Sequence, residues 1–314
     1  MSVVDPRVSN GAWVRQRLSD RPTFRLFGAG IGVVATVAVL AAIIWWVGNG
    51  FLAGDTLTYW FAGHRLNIGH DLYLLRADDP RLFDTGPYGL FSPPLIAVPW
   101  MFLAQLPGNV GMLLWWVAMA LCATWMTAFL LLGTRGWAGL AILPLVPSVM
   151  AVVGVGNVDA AMVAGIFVAW MLRDRPRALG ILIAVLASVK LTPAVLVVWL
   201  IATRRWRALT WCAGAGAALA FVTMAVLGPG IFADYLGVMT GVSRGNPLPL
   251  VIVAAGLAAV LLLGRHETLG FALAVALIPF GSPVTSGHTW VLLLGALAPT
   301  INPVVARGSR AIRA

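Results

Sequence analysis

The sequence predicts an all-α integral membrane protein, a polytopic helical bundle of about ten membrane segments with a large external loop after the first. Three observations predict it. The 314 residues are 60% hydrophobic and only 10% charged, where an ordinary soluble domain carries about 25% charged residues. Mean hydropathy is +0.92. Apolar runs at 31–47, 110–132 and 209–227 approach or pass the roughly 17 to 25 residues that cross a bilayer core. A soluble protein folded around one core is excluded.

In chain order the candidate segments fall at 27–47, 92–106, 110–132, 138–153, 157–172, 178–189, 191–203, 208–227, 248–263, 268–280 and 288–303. The first follows a tail carrying Arg7, Arg15, Arg17, Arg21 and Arg25, and the last precedes Arg307, Arg310 and Arg313. The positive-inside rule makes both tails cytoplasmic. It also places inside Arg135, Arg173, Arg175 and Arg177, then Arg204, Arg205 and Arg207, then Arg265. The tips 55–91, 154–159, 190–193, 228–249 and 281–288 are then external. Two cytoplasmic ends require an even number of crossings, so one of the eleven segments is re-entrant or juxtamembrane; 92–106, broken by Pro93, Pro94 and Pro99, is the candidate. The charged start leads into a full-length run without a small-residue cleavage pattern, so no cleaved leader is expected. The domain plan is a basic tail at 1–26, a membrane domain at 27–303 with an external loop at 48–91, and a basic tail at 304–314.

The net charge of +10 reports orientation. Basic residues sit between apolar runs, with no polar domain to form a groove, so nucleic acid is excluded and the bilayer is the expected partner. Cys122 and Cys212 lie inside apolar runs and read as packed thiols rather than a disulfide or metal pair. There is no Walker motif and no metal-ligand cluster. Gly28, Gly30 and Gly32 lie in the first run with no preceding strand, which indicates helix packing.

Chemistry concentrates where polar residues interrupt apolar ones. Asp55 stands a few residues beyond the first segment; a carboxylate partly shielded from water serves as a general base, and the alternative is a cap for a helix beginning at Thr56. Lys190, the one lysine beside twenty arginines, interrupts an apolar stretch. A charge at membrane depth costs at least about 2.5 kcal/mol, so it faces a cavity and its anionic ligand, or it snorkels or pairs with Asp159. Asp159 opens a segment, where capping is the alternative. His288 opens the last one, where a structural hydrogen-bonding role is the alternative.

Taken together, these fragments resemble the GT-C superfamily of membrane glycosyltransferases, and within it glycosyltransferase family 87, the polyprenyl-phosphate-sugar mannosyl- and arabinosyltransferases common in actinobacteria. The landmarks are Asp55 and Tyr59, the Asp-Leu-Tyr at 71–73, Phe91 to Leu95, the tip Gly156 to Asp159, the Lys-x-Thr-Pro at 190–193 followed by Arg-Arg-Trp-Arg at 204–207, and Ser282 to His288. Departures are Asn157 and Asp159 where the family has Gln and Asn, Ser92 between the aromatic and Pro-Pro, and one histidine where a pair is usual. The resemblance implies a GT-C-like bundle in the plasma membrane with an external active site. It implies an inverting transfer of a sugar, most simply mannose, from a polyprenyl-phosphate donor to a lipid or glycan acceptor. Asp55 would be the base, and Lys190, Arg65 and His288 would bind the donor phosphate. Tyr59, His70, Asp71, Tyr73, Asn157, Asp159 and Asn246 would bind substrate. No cofactor and no metal are expected, because Lys, Arg and His supply the charge that a phosphate leaving group needs. A transporter or flippase of lipid-linked sugars, or a non-catalytic member in cell-envelope assembly, is the alternative. The first would use the same cationic cavity without a base.

Overall fold

The computed structural model describes residues 54–79, 89–107, 109–133, 144–243, 248–263, 266–281 and 287–300. The segment expected at 27–47, both basic tails, Asn246, residues 138–143 and 282–286, and Arg81, Arg135 and Arg244 lie outside them. The described residues are helical, with no strand. In order the helices are α1 (Gly54–Asn67), α2 (Ala97–Leu103, led by a 3-10 turn at Pro94–Ile96), α3 (Val110–Gly133), α4 (Val146–Val155) and α5 (Asp159–Met171). There follow α6 (Pro176–Val189), α7 (Val195–Ala202, led by Thr192–Ala194), α8 (Trp206–Leu227), α9 (Ile231–Ser243), α10 (Leu248–Leu263) and α11 (Glu267–Leu277). Two 3-10 stretches, Pro279–Gly281 and Thr289–Thr300, close the described chain.

Val110–Leu130 and Trp206–Leu227 are long and apolar enough to cross a membrane. The other apolar helices run 10–17 residues, so length alone does not reproduce ten full spans. The cause is in the sequence: Pro176, Pro193, Gly156 and the Lys190 break end the helices before they reach the roughly 20 residues a span needs. Apolar side chains stand exposed on α8 and α10, Phe221 at 69% and Leu262 at 79%, as expected of a surface facing lipid. Together with the apolar composition they make this a helical membrane protein.

The core runs through α3, α5, α6, α7, α11 and the Thr289–Thr300 stretch, with Met126, Ile166, Phe167, Ile183, Trp199, Phe271 and Leu292 buried in it. Helices α6 and α8 pack together at Gly180, where a Cβ would lie 2.2 Å from the Ala208 carbonyl oxygen. A side chain there would push the pair apart.

Two elements depart from the sequence expectation. The external loop at 48–91 begins with the helix α1, and the tip expected at 228–249 contains α9. Ile231, Tyr235 and Val238 are buried along α9 at the i, i+4, i+7 spacing of an amphipathic helix, a signal that was legible in the sequence. The segment at 92–106 is short, as its three prolines require: α2 and its leading turn cover ten residues, too few to span. Cys122 and Cys212 are free thiols.

Candidate active site

The site is assembled by two short breaks and one helix start. The first break is the turn between α4 and α5. Val155 is followed by Gly156 at φ +64°, the left-handed conformation that ends helices and favours glycine. Space enforces the same choice, because a Cβ on Gly156 would sit 1.9 Å from Thr56 Oγ1. Helix α1 therefore lies directly against this turn. The Trp115 indole donates to the Gly156 carbonyl at 2.9 Å, and the Trp116 indole donates to the Val153 carbonyl. Trp115 is held in turn by Tyr59 and Trp100, with ring centroids 5.7 and 5.1 Å away.

The turn delivers Asn157 and Asp159. The Asn157 amide donates through Nδ2 to Asp55 Oδ2 at 2.8 Å, and its Oδ1 accepts the Asp159 backbone N–H at 2.8 Å. Asn157 Nδ2 also lies 3.1 Å from His288 Nε2, and that nitrogen is 3.6 Å from Asp55 Oδ2. Asp55 stands in the first turn of α1, yet its carboxylate reaches across to the α4–α5 turn. Likewise Asp159 opens α5 without a side-chain cap bond.

The second break is at Lys190. Helix α6 stops at Val189, Lys190 is extended at φ −142° and ψ 126°, and the chain resumes at Thr192. The Lys190 ammonium donates to Asp159 Oδ1 at 2.6 Å. Asp159 is fully buried, and among the described residues its Oδ2 has no hydrogen-bond partner. Of the alternatives weighed for Lys190, pairing with Asp159 is therefore realised, and the lysine lines a cavity as well.

That cavity has a volume of about 550 Å³, within the roughly 300–1,000 Å³ common for ligand sites. Asp55, Thr58, Tyr59, Asn157, Lys190, Thr192 and His288 form its polar wall, and Val195, Val198, Met239, Val253, Leu257, Leu277 and Ile278 its apolar walls. Burial, reinforced by Asp55 and Asp159, pushes the Tyr59 phenol well above its usual value, so it stays protonated and able to donate. Among the described residues no group of three or more His, Cys, Asp or Glu could hold a metal.

A family model described as glycosyltransferase family 87 matches residues 91–301. The chain belongs to glycosyltransferase family 87. No curated protein and no solved structure matches it. This family 87 chain is therefore a glycosyltransferase, with Asn157, Asp159, Lys190 and His288 inside the matched stretch and Asp55 before it.

Asp159, buried against Lys190, does not line the cavity, and neither do the residues at 65–73 that the resemblance assigned to the donor or substrate. Arg65, expected at the donor phosphate, is 1% exposed, and its guanidinium donates to the Leu72 carbonyl at 2.9 Å. It holds the loop after α1. His70 bonds Asp79 at 2.9 Å, and Asp71 projects from the surface 4.0 Å from Arg76. Tyr73 is buried, donates to the Ser92 carbonyl at 2.9 Å, and packs 5.7 Å from the Tyr235 ring. Ser92 and Tyr235 line the cavity, so Tyr73 shapes the wall from behind. The Asp79 carboxyl is pushed up by burial, but the hydrogen bonds from Arg76 N–H and His70 and the charge of Arg65 outweigh this and hold it below its usual value.

The cavity also contains polar residues to which the sequence reading gave no role: Thr58, Ser92, Thr192, Tyr235 and Thr289. Thr192 was in view as part of the Lys-x-Thr-Pro at 190–193. Its Oγ1 is buried, without a hydrogen-bond partner among the described residues.

Proposed function

We propose that this family 87 chain transfers a sugar, in the first instance mannose, from a polyprenyl-phosphate donor to a lipid or glycan acceptor on the external side of the plasma membrane. The observation that carries this reading is one cavity that joins the Asp55 carboxylate and the Lys190 ammonium to long apolar walls. A lipid-linked sugar phosphate has the same division: an anionic head, a sugar, and an isoprenoid chain suited to Val195, Val198, Val253 and Leu257.

In the proposed step the acceptor hydroxyl oxygen attacks the anomeric carbon and passes its proton to the Asp55 carboxylate. The bond from that carbon to the phosphate oxygen breaks, and its electron pair remains on the phosphate. A single displacement of this kind inverts the anomeric configuration. Lys190 lies where the growing phosphate charge needs a fixed cation, and stabilising developing charge is the largest single source of rate in many enzymes. Tyr59 and Asn157 flank the base. The external side follows from the arginine distribution, since sixteen of the twenty fall on loops and tails assigned to the cytoplasm. In the same reading about ten segments span and both tails are cytoplasmic.

The test is Asp55→Asn in protein reconstituted with a polyprenyl-phosphate-mannose donor. Transfer is expected to be lost while the variant inserts and unfolds at the wild-type temperature. Undiminished transfer by that variant removes Asp55 as the base.

A further inference from the structure

Asn157 makes three polar contacts, and together they determine which end of its amide faces which neighbour. Oδ1 accepts the Asp159 backbone N–H at 2.8 Å. Nδ2 lies 2.8 Å from Asp55 Oδ2. Turning the amide over would set its oxygen against a carboxylate and its NH2 against an N–H, two repulsive contacts in place of two hydrogen bonds. The NH2 end therefore faces Asp55, and it has one further hydrogen to give. His288 Nε2 lies 3.1 Å away in the position to accept it. A nitrogen that accepts from an amide N–H has its lone pair there and carries no proton.

We propose that Asn157 is a positioning residue that holds His288 in its neutral tautomer, with the proton on Nδ1, and so keeps Asp55 and His288 from sharing a proton. Asp55 Oδ2 and His288 Nε2 are 3.6 Å apart, close enough to become an ion pair after a small movement. Among the described residues the charged groups that act on the ring include Asp55 from α1, Asp159 from α5 and Lys190 from the α6–α7 break. Lys190 is already bonded to Asp159, so a protonated His288 would be the cation that Asp55 meets. Such a pair would occupy the carboxylate lone pairs that must take the acceptor proton. With the Asn157 amide in place, the ring is a neutral acceptor and the carboxylate stays basic. This also assigns His288 a role different from the donor-phosphate cation that the resemblance implied. The catalytic part of the inference rests on Asp55 being the base; the tautomer does not.

The experiment is nitrogen-15 NMR of histidine-labelled protein in lipid nanodiscs at neutral pH. The chain has four histidines, and a spectrum of His288→Gln identifies the His288 signals. Wild type is expected to show an unprotonated Nε2 on His288. Asn157→Asp, which has the same shape but no hydrogens to donate, is expected to show a protonated Nε2. Asn157→Ala provides the same readout should the aspartate variant not fold. A protonated Nε2 in wild type, or an Nε2 that stays unprotonated in both variants, overturns the inference. A kinetic arm uses farnesyl-phosphate mannose as donor and an alkyl mannoside as acceptor. Asn157→Asp is expected to lower kcat about 100-fold, the scale of a misplaced catalytic group, with KM for the donor unchanged. Wild-type kcat in that variant refutes the positioning role. Should Asp55→Asn prove active, the base assignment fails on its own while the NMR result still decides the tautomer.

Discussion

Helices α5, α6 and α7 carry charge at both ends, and the two ends are built differently. At one end Asp159 and the Lys190 break meet beside Asn157, and Asn157 and Lys190 line the cavity. At the other, Arg173 and Arg205 converge on Glu267, at 3.7 and 2.5 Å. Arg205 donates to the Arg173 carbonyl, the Trp199 indole donates to the Glu267 carbonyl at 3.1 Å, and the guanidinium groups of Arg173 and Arg205 lie over Trp170 and Trp199, 4.6 and 5.3 Å from the ring centroids. The difference is one of cation chemistry. A planar guanidinium binds carboxylates and carbonyls while stacking on a ring, so it ties together the α5–α6 turn, the α7–α8 turn and the start of α11. A lysine is a compact point charge on a flexible stem. The one lysine of this chain stands at the end that lines the cavity.

The comparison can be broken most sharply at Lys190. Lys190→Ala leaves Asp159 as a buried charge without its cation and is expected to cost about 3–5 kcal/mol, read as a lowered unfolding temperature in detergent. Lys190→Arg restores the charge and should recover most of that stability, while KM for the donor stays raised; a wild-type KM would mean that cation shape does not matter there.

Gly156→Ala tests how the reactive end is held. The left-handed backbone alone costs a residue with a Cβ about 1–2 kcal/mol, and the contact with Thr56 adds to it. Transfer should fall with stability, and Thr56→Ser, which keeps Oγ, should not rescue it.

Glu267→Gln tests the other end. Its side chain is 41% exposed, so the loss is expected near 1 kcal/mol, with kcat unchanged. A fall in kcat there would couple the two ends.

The smallest effect concerns the loop after α1. Asp79 titrates lower when folded than unfolded, so it stabilises the loop fully above the unfolded value of about 3.9 and loses that contribution as pH falls through the lower folded value. Proteolysis of the loop should rise below about pH 4, and Asp79→Asn should abolish that pH dependence.

Composition was enough to predict the helical class; Asn157 entered through the resemblance alone, whereas the polar interruptions of apolar runs singled out Asp55, Asp159, Lys190 and His288. Each stands where an uncompensated polar group would be costly, so its presence implied a partner. The residues at 65–73 were a different case. In a polar loop the cost of polarity is small, so nothing in the sequence separates Arg65, which holds the loop, from a residue that faces substrate. Their assignment came through resemblance alone, and none of them lines the cavity: Tyr73 packs behind its wall, Arg65 and His70 bond within the loop, and Asp71 faces outward. The partnership of Asn157 with Asp55 links residues 102 positions apart, and no local pattern encodes it.

The length of α5 has a consequence for how substrates arrive. Its 13 residues rise about 20 Å, against a hydrocarbon core of about 30 Å. In the topology proposed above, with its arginine end at the cytoplasmic boundary, the helix would stop about 10 Å short of the other, and Asp55, which Asn157 ties to the start of α5, would lie near that level. A freely soluble sugar would have to leave water to get there, whereas a molecule already anchored in the leaflet needs only to slide sideways. In that topology the shortness of one helix would act as a sieve on how a molecule travels, before any contact in the cavity tests what it is.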